Sequence, residues 1–179
     1  MGSERRLLRG CHRGQDQGLY IIRADSPLAR LTWSFEQHPN ARIITGFPGL
    51  GSFTGSRVLA EIGDGRSRFT DAKGLAAFAG AAPVTRASGK SVSVMARRVK
   101  NQRLAAVGYV WAFAALTASP GARAHYDRRR EAGDRHTAAR RNLFDRMLGC
   151  LHHCLTVRTD YDEAIAFLTP KAPDIAEAA

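Results

Sequence analysis

Fifteen consecutive residues, Leu104 to Ala118, carry no charge and are rich in alanine. A run of that kind leaves the chain few choices. It is shorter than the roughly 20 residues a membrane-spanning helix needs, so it reads as a buried helix from about Asn101 to Ala118 that other elements must cover. Leu104, Val107, Trp111, Ala114 and Ala118 form one stripe, with Val110 and Phe113 beside it. The helix is therefore apolar nearly all round and is expected to be the central core helix. With 179 residues and 44% hydrophobic content, the chain can bury one real core, and a single mainly α domain is expected.

The flanking segments fit such a bundle. Ala41 to Phe47 and Ser52 to Ile62 read as two helices around the tight turn Pro48-Gly49-Leu50-Gly51, a helix-hairpin-helix-like start. Ile43, Ile44, Val58, Leu59 and Ile62 supply its core face. Gly49 and Gly51 allow positive φ and a surface free of side chains, so backbone N–H groups at the second helix can approach a phosphate. A third helix starts at Thr70 or Asp71, runs through Leu75 and Phe78, and stops at Gly80. From Val84 to Met95 the pattern alternates weakly around Ser88-Gly89-Lys90, which predicts a small β-hairpin or irregular loop with Ser88 near its tip. Ser119-Pro120-Gly121 ends one helix and starts the next. From Asp134 to about Arg158, Leu143, Met147, Leu151 and Leu155 recur every four residues and pack inward, with Arg140, Arg141 and Arg146 on the opposite, basic side.

Charge narrows the function. The net charge is +11, and residues 86–146 hold fourteen Lys/Arg against four Asp/Glu. That concentration predicts an anionic partner, a nucleic-acid backbone before a small acidic metabolite or a membrane surface. Within it, Ser88 beside Gly89 is flanked by Arg86, Lys90, Arg97, Arg98, Lys100 and Arg103. A hydroxyl attacks phosphorus only where the phosphate is held and its developing charge offset, which such cations do. Ser-Gly is also turn chemistry and basic runs are also solvated faces. On chemistry alone Ser91 and Ser93 stay open as the reactive hydroxyl. Three cysteines give no disulfide framework. Cys150 and Cys154 share a helix face, but a tetrahedral zinc site lacks two further ligands there, so no metal is assigned. Asp64, Asp71, Asp127, Asp134 and Asp145 form no recognisable tetrad. Arg5-Arg6-Leu7-Leu8-Arg9 is not followed by an apolar core, so no secretory signal is read and a cytosolic protein without a membrane partner is expected.

Taken in order, Ile43-Ile44-Thr45-Gly46-Phe47-Pro48-Gly49-Leu50-Gly51, Val58-Leu59-Ala60-Glu61-Ile62-Gly63-Asp64, Arg68-Phe69, Leu75 to Pro83 and Ser88-Gly89-Lys90 resemble one family. It comprises insertion-sequence transposases related to the Piv DNA invertase, which join an N-terminal RuvC-like DEDD nuclease domain to a C-terminal serine-bearing domain. The resemblance is to the C-terminal half and runs from about Leu28 to about Phe167. It leaves 1–27 as an unmatched leader and implies the end of a linker helix over 28–40 and the transposase C-terminal domain over 41–168; low apolar content in the leader, and Pro170, Pro173 and the alanines of the tail over 169–179, predict disorder at both ends. The resemblance implies DNA transposition, with Ser88 as the nucleophile and DNA held through Gly49, Gly51, Arg86, Lys90, Arg97, Arg98, Lys100 and Arg103. It also implies that this chain binds no cofactor, Mg²⁺ entering only through the nuclease domain. The implied partners are DNA, a guide RNA, and intact transposase protomers or further copies in a dimer or tetramer. Two alternatives are a truncated remnant that binds DNA or RNA without chemistry and a repair-type helix-hairpin-helix protein that needs the glycines but not Ser88.

Overall fold

The computed structural model describes residues 27–88 and 91–167, and helices dominate them. Helices α1 (Pro27–Glu36), α2 (Ala41–Thr45) and α3 (Ser52–Ile62) lead through a short 3-10 turn (Arg66–Arg68) to α4 (Ala72–Ala79). Strands β1 (Val84–Ser88) and β2 (Ser91–Met95) then pair as a two-stranded antiparallel ribbon. Helices α5 (Gln102–Ala118), α6 (Pro120–Glu131), α7 (His136–Val157) and α8 (Glu163–Ala166) complete the chain. The expected leader except Pro27, which begins α1, and the expected tail, together with Cys11, Gly89 and Lys90, lie outside the described residues.

Local chemistry fixes where the helices begin. Asp71 accepts a hydrogen bond from the Gly74 backbone N–H at 2.7 Å, and Gly80 ends α4 in the left-handed conformation. Asn101 accepts from the Leu104 N–H at 2.8 Å and so caps α5. Ser119 caps α6 by accepting from the Ala122 N–H, with Pro120 at the first helical position. Each of these side chains satisfies an amide that helical geometry leaves without a partner. The chain turns through 108° between α5 and α6. Among the described residues, no single helix is long and apolar enough to cross a membrane.

The core centres on Trp111, which is fully buried. Phe47 meets it edge-on at 5.8 Å between ring centroids and Phe144 does so at 5.9 Å. The Trp111 indole N–H donates to the Pro48 carbonyl at 3.0 Å, so the turn between α2 and α3 is bonded to α5. Glycine permits two close approaches. A Cβ on Gly49, whose φ is +80°, would stand 2.8 Å from the Ala115 backbone nitrogen, and a Cβ on Gly108 would overlap the Phe144 ring. Phe35 of α1 packs against Gly55 of α3, and α4 packs on α7.

Two expectations need correcting. Helix α5 is not enclosed all round: Leu104, Val107, Trp111 and Ala115 are buried, but Tyr109, Val110 and Phe113 are more than half exposed. Its packing partners α3, α4, α6 and α7 leave one side open. Arg140 does not join an outer basic surface. It is 4% exposed, because its guanidinium turns toward α5 and stacks on the Tyr109 ring.

Candidate nucleic-acid interface

Ser88 is the last residue of β1, exposed, and faces Ser91 across the ribbon. The register also pairs Arg86 with Ser93 and Val84 with Met95. Residues directly opposite share a face, and alternate residues along a strand do too. By register, positions 84, 86, 88, 91, 93 and 95 therefore belong to one face of the ribbon. Lys90 lies outside the described residues between Ser88 and Ser91. The ribbon itself holds no Asp, Glu or His.

Arg97 and Arg98 are not brought to Ser88. They follow the pair Val84–Met95 at the foot of the ribbon. Four residues of strand put that foot about 13 Å from the serine. There Val84, Met95, Ala96, Arg97, Arg98 and Val99 line an open cavity of about 710 Å³. Arg98 is exposed, whereas the Arg97 Nε is covered and finds no acceptor. Lys100 lays its aliphatic stem across Gly80, where a Cβ would collide with it. Arg103 projects into solvent with its side chain 84% exposed, 3.8 Å from Glu61. Asn101 holds this segment in place, donating its side-chain N–H to Glu61 at 2.8 Å and its backbone N–H to the Phe78 carbonyl at 2.8 Å.

The glycine pair separates into two roles. Gly49 faces α5 and is committed to packing. Gly51 is exposed at the N-terminus of α3, with nothing within 4 Å of a Cβ there. No side chain caps the first amides of α3 there, the arrangement in which a helix N-terminus can receive an anion.

The carboxylates are dispersed. Asp64 pairs with His38 at 2.9 Å, Asp127 with Arg123 at 3.0 Å, and the Arg129 Nε donates to Asp134 at 2.7 Å. Half-burial pushes the Asp145 carboxyl above its ordinary range, while Arg141 pulls it back. Burial likewise pushes the Cys150 and Cys154 thiols up, away from the thiolate a metal would need. Among the described residues no cluster of three or more His, Cys, Asp or Glu could hold a metal ion.

One functional candidate was missed by sequence reasoning: the open side of α5. Its signal was present in Arg103 and Thr117, polar residues fourteen apart that fall on the same side as Val110 at helical spacing.

Comparison with known proteins gives this geometry a context. Residues 41–127 match the family described as Transposase IS116/IS110/IS902. A Streptomyces coelicolor protein named as the mini-circle transposase for IS117 is 56% identical over 146 residues, 82% of this chain and 35% of that protein. The uncharacterized IS110 insertion-element protein of the same organism is 36% identical over 75% of this chain and 33% of its own length. The corresponding IS900 protein of Mycobacterium paratuberculosis is 37% identical over 73% and 33%. The chain thus spans about a third of the length of these curated relatives.

Proposed function

Since residues 41–127 carry a transposase domain of the IS116/IS110/IS902 family, we propose that the chain serves DNA transposition by binding DNA and supplying Ser88 as the nucleophile for strand cleavage. The observation that carries this reading is the exposure of Ser88 at the free end of a ribbon that leads into a basic segment. Ser88 Oγ attacks the scissile phosphorus, the bond from phosphorus to the leaving sugar oxygen breaks, and the serine proton passes to that oxygen. The product is a phosphoserine diester, which conserves the ester bond so that a second strand's hydroxyl can displace the serine and reseal the DNA.

Arg86 and Lys90, each two residues from Ser88, hold the attacked phosphate and offset its developing charge. Arg98 and Arg103, the exposed cations of the following segment, grip the backbone farther along, and Arg97 and Lys100, partly engaged by the protein, add to its charge. The ~13 Å from Ser88 to the foot of the ribbon, where this segment begins, is about four base-pair rises. The uncapped first amides of α3, after Gly51, supply a further phosphate contact. The ribbon has no proton acceptor of its own, so activation of the serine is assigned to a separate nuclease domain of the DEDD type with Mg²⁺. Synapsis of two DNA sites requires further protomers.

That missing acceptor also favours a second reading, a module that grips DNA or RNA and does no chemistry. Covalent trapping separates the two. Wild-type and Ser88→Ala protein are incubated with nicked or supercoiled element-end DNA and Mg²⁺, with and without the nuclease domain of an intact relative. A denaturation-resistant adduct that maps to Ser88 and is lost in Ser88→Ala supports catalysis. An adduct mapping to Ser91 or Ser93 would reassign the nucleophile, and salt-sensitive binding without any adduct would leave the binding module.

A further inference from the structure

The open side of α5 has an unusual composition. Arg103, Ala106, Tyr109, Val110, Phe113 and Thr117 are all exposed and fall within about a third of the helix circumference. Tyr109 and Phe113 are each 57% exposed and Val110 is 55% exposed. The stripe contains no acidic residue and begins at Arg103, within the basic segment that follows the ribbon. Scattered exposed apolar residues are ordinary, but a contiguous set is usually an interaction surface.

Arg140 gives a second, independent observation. Its guanidinium carbon lies 3.2 Å from the Tyr109 ring centroid and 6.0 Å from that of Phe113. Its Nε and Nη2 are covered by protein and meet no hydrogen-bond acceptor. A buried cation without an ion pair is costly, and what Arg140 meets here is aromatic faces. The stack holds one face of the Tyr109 ring against a cation while the residue stays 57% exposed.

We propose that this stripe is a stacking platform for unpaired DNA bases, with Tyr109 and Phe113 each receiving one base and Arg103 leading the phosphate backbone onto it. The proposal rests on the reading that the chain binds DNA during strand exchange, a process that exposes unpaired bases beside the broken phosphate. The two rings are four residues apart, about 6 Å along the helix axis. Aromatic rings interleaved with arginine suit single strands because every base offers a π face and every nucleotide a negative charge. A second copy of this chain fits less well: each copy would bring Arg103 to the contact, and α5 offers no carboxylate to pair with it.

Fluorescence anisotropy with labelled oligo(dT) of ~12 nucleotides and a duplex of the same length tests the platform. The Tyr109→Ser/Phe113→Ser variant should lose oligo(dT) affinity about tenfold or more and keep duplex affinity within about twofold, and Tyr109→Phe/Phe113→Tyr should restore it. Wild-type protein photo-crosslinked to 5-iododeoxyuridine oligonucleotides should carry the label on Tyr109 or Phe113, a readout that does not depend on a variant folding. Duplex binding without oligo(dT) binding, or crosslinks confined to other residues, would overturn the platform and leave the DNA reading intact. Failure to bind either oligonucleotide would remove both. Preference for oligo(rU), or self-association that the serine variant abolishes, would reassign the surface to RNA or to a second copy.

Discussion

At Gly49 the two demands placed on one residue can be separated. A side chain there must adopt φ +80° and also push into the α5 backbone at Ala114 and Ala115. The left-handed conformation and the overpacking together predict that Gly49→Ala destabilises the protein by about 2–4 kcal/mol in urea unfolding. Gly51 has an ordinary extended backbone and open space, so Gly51→Ala should cost no more than about 1 kcal/mol, the difference between two N-cap residues. Loss of DNA affinity in Gly51→Ala with stability retained would then report on phosphate contact, whereas the same loss in Gly49→Ala would not. Asp145 makes a different residue-level test. Its carboxyl is raised by burial, so the unfolded chain ionises it more readily, and the folded state loses stability as pH climbs through the ordinary carboxylate range. Asp145→Asn should therefore raise the urea midpoint more at pH 7.5 than at pH 5. An equal gain at both would show that charge burial is not the cause.

Ser119 joins two elements, and its worth follows from burial. It is 1% exposed and caps α6 where the chain bends away from α5. Ser119→Ala removes the acceptor for a buried amide, and a loss of about 1–2 kcal/mol is expected, against about 0.5–1 kcal/mol for the exposed cap in Asp71→Ala. Matching losses in thermal melts would mean that water replaces the Ser119 bond. Caps of this kind were legible in the sequence, as were the turn at Pro48–Gly51, the stop at Gly80 and the ribbon around Ser88, because each depends on a residue's own backbone preference or its immediate neighbours. The environment of α5 was legible only in the polar marks of Arg103 and Thr117. Alanine, valine and phenylalanine have the same periodicity whether or not a neighbouring helix covers them, and the open side depends on how α3, α4, α6 and α7 are arranged. Arg140 was misread for the same reason, since its apparent outward position ignores an aromatic partner thirty-one residues away. The separation of Ser88 from Arg97 and Arg98 also escaped local reasoning: nearness in sequence became distance once the strands extended between them.

For the whole molecule, a net charge of +11 overstates the cations free to meet a phosphate. Arg123 and Arg129 are paired with Asp127 and Asp134, the stem of Lys100 is laid over Gly80, and the Arg97 Nε is covered. Arg98 and Arg103 are the exposed members of the segment after the ribbon. If they contact the DNA backbone, each releases counterions on binding, and the slope of log K against log salt should become shallower by about 0.9 for each contact removed. Arg98→Gln/Arg103→Gln should therefore flatten the slope by about 1.8, weakening binding to unrelated duplexes alike because phosphates carry no sequence information. Arg123→Gln/Arg129→Gln removes the same formal charge from side chains already engaged with carboxylates, and should change the slope by much less than one contact. Duplex titrations from low to physiological salt separate these cases. If the two double variants flatten the slope equally, binding follows total charge and the segment after the ribbon is no special contact; if only the first does, geometry has selected which cations meet the DNA.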